Sequence, residues 1–186
     1  TFCIIAHLFL NMQLATYTLR EYFDHHNTPC LSFHIYRLSD VPFRPNDVMH
    51  RSDYFQLLVL QSGEVQKQND QHYFSLSAGE LSLTFPHQVS AFQVQDTQQA
   101  DGIVIEFDEM LFCSDLLKNE LIAYNDNLMG KLSHVVLDDA TFAKINAYAL
   151  QIQELFSDLS PIKKEQIRFY IKIMLLAIIE AAHREN

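Results

Sequence analysis

Histidines, cysteines and carboxylates are the residues here that could do chemistry, and their spacing limits what they can do. The cysteines are Cys3, Cys30 and Cys113, an odd number set far apart. A structural zinc site needs close thiolate pairs, and a disulfide framework needs an even set, so neither is expected. His25-His26 lies in a polar turn, and adjacent side chains there point apart. His87 follows Pro86 and is expected in solvent. Asp108-Glu109 is a carboxylate pair at a strand end, where such acids usually face water. No Gly-x-Ser-x-Gly elbow, phosphate loop or Cys–His signature occurs. With no nucleophile beside a recognisable base, the chain reads as a non-enzyme.

The elements that must position these groups are mostly strands. Leu31, Phe33 and Ile35 alternate with Ser32, His34 and Tyr36, which predicts a strand with one apolar and one polar-aromatic face. His34 is then either a hydrogen-bonded structural residue or a ligand contact. Tyr54 to Leu60 is apolar on both faces, the mark of a strand covered twice. Gly63 ends it. Val65 to Gln68 and Gln71 to Leu76 flank Asn69-Asp70, which suits a tight hairpin turn. Leu81, Leu83 and Phe85 repeat every second residue after Gly79, and Pro86 closes that strand. Val89 to Gln95 and Ile103 to Phe107 add two more. About eight strands suit a small barrel or double-sheet roll.

The ends read differently. Phe2 to Leu10 is apolar but too short to span a bilayer, which takes about 20 residues. It lacks a basic leader and a cleavage site. A buried start and a non-native stretch before Met12 both remain open. Leu14 to Phe23 reads as a short helix or irregular lead-in. After Phe107 the period becomes helical. An aspartate, Asp138 or Asp139, caps a helix running to about Leu159. Phe142, Ile145, Ala149, Ile152 and Phe156 form a stripe on it. Ser160-Pro161 starts a second helix, with an N-cap and proline at the first position. That helix is apolar nearly all round: one side can pack on the barrel, and the other needs a cover, either the preceding helix alone or the same helices of a second copy. Phe169, Ile173 and Leu176 belong to it.

The chain has 186 residues, 48% of them hydrophobic, enough for a core. It carries 13 Lys and Arg against 23 Asp and Glu, a formal net charge of −10. That argues against this polypeptide gripping a phosphate backbone by itself. The widely spaced cysteines suggest a reducing, cytoplasmic setting.

Taken in order, His50 to Gly63, Gly79-Glu80-Leu81, Pro86-His87-Gln88-Val89-Ser90 and Ala100 to Phe107 resemble the cupin-type sensor domain of AraC-type transcription regulators. The resemblance implies a mainly β fold with C-terminal α: a cupin-like double-stranded β-barrel, or jelly roll, followed by an antiparallel helix pair. It divides the chain into a lead-in over 1–29, a barrel over 30–108 and a helical dimerisation part over 109–186. Catalytic cupins hold a metal through His-x-His, a carboxylate and a late histidine. Here Ser52, Gln56 and Ser90 stand at the second, third and fourth positions after His50, so no metal and no cofactor are expected. The cupin frame implies one strand over 50–60 with its even-numbered face inward, so His50, Ser52, Tyr54 and Gln56 line the interior, joined by Ser90 and Phe92. These, with His34 and Tyr36, would suit a small polar effector such as a sugar or metabolite. Arg44, between Pro42 and Pro45, is either a solvated loop charge or a hand over the barrel mouth for an anion. A barrel filled by its own side chains is the plainer alternative.

In the family, helices after the barrel pair two copies. Phe142, Ile145, Ala149, Ile152, Phe156, Phe169, Ile173 and Leu176 are then the expected homodimer contacts. Helix-turn-helix DNA-binding units would follow the last helix, so DNA would be reached through them and not through this chain. The expected function is an effector-sensing and dimerisation domain. The alternatives are a metal-dependent cupin enzyme, a dioxygenase or sugar isomerase, and a plain dimerisation module.

Overall fold

A computed structural model describes residues 14–20, 31–40, 49–93, 100–112, 115–127 and 131–184. Its strands are β1 (Ala15–Tyr17), β2 (Phe33–Arg37), β3 (His50–Ser52), β4 (Phe55–Ser62), β5 (Glu64–Asn69), β6 (His72–Ser77), β7 (Glu80–Thr84), β8 (Val89–Gln93), β9 (Asp101–Phe107) and β10 (Val135–Val136). Its α-helices are α1 (Asp115–Asn127), α2 (Asp139–Phe156) and α3 (Pro161–Arg184). The strands form two five-stranded sheets, ordered β1-β3-β8-β5-β6 and β10-β7-β4-β9-β2. The fold is mainly β with C-terminal helices: two five-stranded sheets followed by α2 and α3.

Two readings of the sequence need correction. Within the lead-in read as a short helix or irregular segment, residues 15–17 are a strand that pairs parallel with β3, and helix is present there only at Leu19 and Arg20 among the described residues. The expected single strand from His50 to Leu60 is two strands in different sheets, with the chain crossing between them at Asp53-Tyr54. Period-two patterning cannot see such a crossing, because the alternation continues through it.

The turns follow their residue types. Asp70 has φ 53°, Gly63 φ 76° and Gly79 φ 92°, the left-handed conformation that Gly and Asp tolerate best. His87 also takes a positive φ and lies exposed beside Pro86. Asp138 accepts a hydrogen bond from Thr141 N at 2.9 Å and caps α2. Ser160 Oγ does the same for Lys163 N at 3.2 Å ahead of Pro161.

The second sheet is buried on both faces. Odd-numbered residues of β4, with Leu83, Ile105, Phe107 and Phe33, pack under the helices. There they meet Ile145, Ala149 and Ile152 of α2 and Ile167, Ile171, Met174 and Leu175 of α3. Even-numbered residues face the other sheet, where Leu58, Leu60 and Val104 meet Val65 and Leu76. The central pair, β4 and β9, runs so close that a Cβ on Gly102 would lie 2.4 Å from the Val59 carbonyl oxygen. Outside these layers β6 is the end strand of its sheet.

Gly102→Ala is therefore expected to destabilise the protein by about 1–3 kcal/mol, because backbone must move to admit the methyl group. Gly79→Ala, where a Cβ meets nothing within 4 Å, should show only the smaller strain of a positive φ. Urea denaturation of the two variants checks the order.

Candidate functional site

The interior between the sheets has an apolar end and a polar end, and strand register places each residue. On the second sheet, Thr84 pairs with Gln56, Gln56 with Glu106, and Glu106 with His34, giving one polar row across four strands. One step along, Ser82, Leu58, Val104 and Tyr36 form the next row. On the first sheet, His50 pairs with Ser90 and Ser90 with Asn69. Thr84 Oγ1 donates to Asn69 Oδ1 at 3.4 Å, so the two polar rows meet face to face.

Glu106 is the hub of this layer and is fully buried. Tyr36 Oη donates to its Oε1 at 2.9 Å, and Gln56 Nε2 donates to the same oxygen at 3.2 Å. His34 Nδ1 lies 3.6 Å from Oε2. The His34 ring also stands edge-on to Phe156 of α2, with centroids 5.8 Å apart. The polar layer thus touches the helix layer through one imidazole. A second link lies at the rim. Arg37 pairs with Asp101, donates to Gln61 Oε1 at 3.0 Å and reaches Gln153 of α2 at 3.5 Å. Gln61 Nε2 in turn donates to Asn146 Oδ1 at 2.6 Å.

From the first sheet, Lys67 and Asn69 enter the same interior. Val65, Lys67 and Asn69 are the buried alternate positions of β5. Lys67 is 3% exposed, and its Nζ has no hydrogen-bond partner among the described residues. Burial pushes its pKa down from 10.5 to about 7. Asn69 Nδ2 and Ser82 Oγ are likewise buried without a partner.

The expected site residues divide. His34, Tyr36, Gln56, Ser52 and Ser90 lie in or beside this layer, and His50 is half-buried at its edge against the Tyr17 ring, 5.3 Å away. Tyr54 does not join them. It sits at the crossing between sheets, in a small cluster with Leu19 and Leu31. Phe92 lies in β8, but its side chain is outside what the structure describes, as are Arg44, His25, His26 and residues 1–13. Of the cupin metal positions, Ser52 Oγ donates to the Tyr54 carbonyl and Gln56 to Glu106. One imidazole with two hydroxyls and an amide is not a transition-metal donor set. Among the described residues no group of three His, Cys, Asp or Glu is placed to hold a metal.

Glu106, Lys67, Asn69, Ser82 and Thr84 were missed by sequence reasoning. A signal existed for the first two. Glu106 is the one acid inside Ile103 to Phe107, and Lys67 shares the parity of Val65.

No family model and no curated protein matches the chain. Among solved structures, it is similar to the AraC-like transcriptional activator CuxR, with TM-score 0.48 and 16% identity over 69% of this chain and 43% of that one. It is also similar to ToxT from Vibrio cholerae O395 bound to (E)-4-(8-methylnaphthalen-1-yl)but-3-enoic acid, with TM-score 0.43 and 10% identity over 81% and 57%. A third likeness is Streptomyces albus HEPD with 2-hydroxyethylphosphonate and Fe(II) bound, with TM-score 0.32 and 16% identity over 75% and 34%. CuxR and ToxT are AraC-like activators, the family that the sequence resembles. The chain spans about half the length of those two. None of these likenesses transfers a ligand or an activity to it.

Lys67 makes a prediction about pH. The unfolded chain keeps a lysine pKa of 10.5, while the folded one holds it at about 7. Between these values the unfolded state binds the extra proton, so stability rises with pH across that window, and the full penalty stands below it. Among the described residues, the titratable groups of inward parity on the facing sheet are Glu80, Glu106, His34 and Tyr36, with His50 on Lys67's own sheet. Lys67→Met should stabilise the free protein at neutral pH by about 1–4 kcal/mol. The gain should fade as pH approaches 10.5, which urea melts across the range will show.

Proposed function

We propose that this chain is the effector-sensing and dimerisation part of an AraC-type transcription regulator. One observation carries the reading: the interior between the sheets holds a layer of buried hydrogen-bonding groups, three of them, Lys67 Nζ, Asn69 Nδ2 and Ser82 Oγ, without a partner among the described residues. Leaving such groups unpaired costs about 1–3 kcal/mol each, which a filled structural core would not retain without a use. The motif order from His50 to Phe107 supports the same family. The metal-dependent enzyme reading loses support because the donor set does not suit a metal.

The mechanism follows from the two links to α2. A molecule hydrogen-bonded in the polar layer would bias the His34–Phe156 contact and the Arg37–Gln153 strap. Either shift changes how α2 and α3 sit on the second sheet. A ligand with different affinity for two helix arrangements moves the population between them. Attached helix-turn-helix units would read that change. Phosphate contacts belong to those units, because this chain carries a net charge of −10. A reducing, cytoplasmic setting fits such a role.

Dimerisation has its own support. Ile145, Ala149 and Ile152, expected in the seam, are fully buried within the chain, and Phe142 and Phe156 are half-buried against the same core. The stripe of α2 is therefore used internally, against the second sheet and α3. Phe169, Ile173 and Leu176 are instead 63%, 41% and 55% exposed, in line with Ile162 at 74%. With Gln166 between them they step by three and four residues, the spacing of a coiled-coil seam. A second copy of α3 is the natural cover.

Ile173→Glu is expected to turn a micromolar dimer into a monomer in light scattering while the melting temperature barely moves. Ile152→Glu should instead give unfolded or insoluble protein, because it buries a charge. A wild-type monomer at that concentration overturns the dimer reading.

The sensor reading is tested by thermal shift against sugars, sugar acids and small metabolites. Stabilisation of a degree or more by one compound class, saturating with dose, is the expected outcome. No shift across the panel favours a plain dimerisation module with a filled barrel.

A further inference from the structure

We propose that Lys67 anchors the carboxylate of a small hydroxylated acid held between the two sheets. This rests on the sensor reading above and narrows its effector from any small polar molecule to an anionic one.

The geometry comes from register. Thr84 and Asn69 touch across the interior, which fixes the relative height of β7 and β5. From that contact, one inward step along β5 reaches Lys67, and one along β7 reaches Ser82. Both steps run toward the apolar end, since the next inward residue of β5 is Val65, packed with Leu58 and Leu60. Lys67 and Ser82 are therefore level with one another, and Asn69 is one step away.

The chemistry is one-sided. Lys67 Nζ, Asn69 Nδ2 and Ser82 Oγ are all buried, all able to donate, and all without a partner among the described residues. No described carboxylate forms an ion pair with Lys67. Glu106, the fully buried acid of this interior, has one oxygen taken up by Tyr36 and Gln56 and the other facing His34. A lone buried ammonium is among the least favourable groups a core can hold. An acceptor-only anion answers all three donors at once, because a carboxylate offers two oxygens and about four lone-pair directions. A neutral sugar would answer the amide and the hydroxyl but leave the ammonium uncompensated. The character of the ligand follows from what lies next to the donors. Leu58, Leu60, Val65 and Leu76 form an apolar cluster at the far end, which offers no partner to a second polar group. Thr84, Ser90, Gln56 and Tyr36 would instead suit hydroxyl groups on a short body.

Binding would restore the charge on Lys67. Free protein near pH 7 is a mixture of ammonium and amine at this residue. A bound carboxylate favours the ammonium, so binding takes up a fraction of a proton from the buffer.

The test uses wild type and Lys67→Met, with acetate, lactate, D-glucuronate and D-gluconate as anionic probes. D-glucose and sorbitol are the neutral counterparts, and sodium chloride matches ionic strength. Melting temperatures are read first, then calorimetric titrations of any probe that binds, in two buffers of different ionisation enthalpy. The expected result is stabilisation by one or more carboxylates over their neutral counterparts. Affinity should fall at least tenfold in Lys67→Met, with a buffer-dependent heat in wild type alone. If the neutral sugars bind and the acids do not, or if the acids bind Lys67→Met as tightly as wild type, the carboxylate anchor is overturned while the sensor reading stands. If no probe binds, the anchor is overturned. A broad neutral panel that is also silent takes the sensor reading with it.

Discussion

The register of β4 between β7 and β9 is the constraint on which the rest depends. Every residue of β4 from Gln56 to Val59 is paired on both sides, and Phe55 and Leu60 are paired with β9 alone. Its odd residues lie under the helices, and its even residues face the other sheet. A slip of one residue would exchange the two faces. Gln56 would then meet the helices, and Phe55 would enter the polar layer. Gly102 helps to hold the register, because its bare backbone lets β9 approach Val59 where a side chain could not. The irregular step between Leu60 and Ser62 ends the regular pairing just beyond.

That single register also sets the electrostatics. It brings Gln56 beside Glu106 and Glu106 beside His34, so the fully buried Glu106 receives hydrogen bonds at Oε1 from two strands. The opposite sheet brings its own buried cation, Lys67, into the same interior, yet the two charges do not pair. A core assembled for stability alone would fill such positions with apolar groups of similar volume, at no loss. The helices stand on the far side of the same sheet. Its strands therefore touch both the polar layer and the helix proposed to pair two copies, with no further element between.

Much of this was legible in the residues, and the failures have physical causes. The β5–β6 hairpin, the turn glycines, the Asp138 cap and the Ser160-Pro161 start all follow from local chemistry, which a short window can read. The crossing at Asp53-Tyr54 was not legible, because alternation does not reveal which sheet a strand joins. That error carried Tyr54 into the expected site. The apolar stripe of α2 was seen, but whether a stripe meets its own chain or another copy depends on tertiary packing. Lys67 and Glu106 were passed over because charged residues usually face water. Only the parity of their neighbours on a known strand turns them inward.

β6 has a consequence of its own. Among the described residues it is the end strand of its sheet, with a row of backbone N–H and C=O groups on one side. Its sequence, His72-Tyr73-Phe74-Ser75-Leu76-Ser77, contains no Lys, Asp, Glu or Pro, the usual guards against sheet-to-sheet growth, and Tyr73 stands 77% exposed on it. At high concentration this margin is where chains would first zip together into aggregates, independently of the proposed helical seam. A lysine at position 73 is the simplest gatekeeper for anyone preparing the protein in quantity.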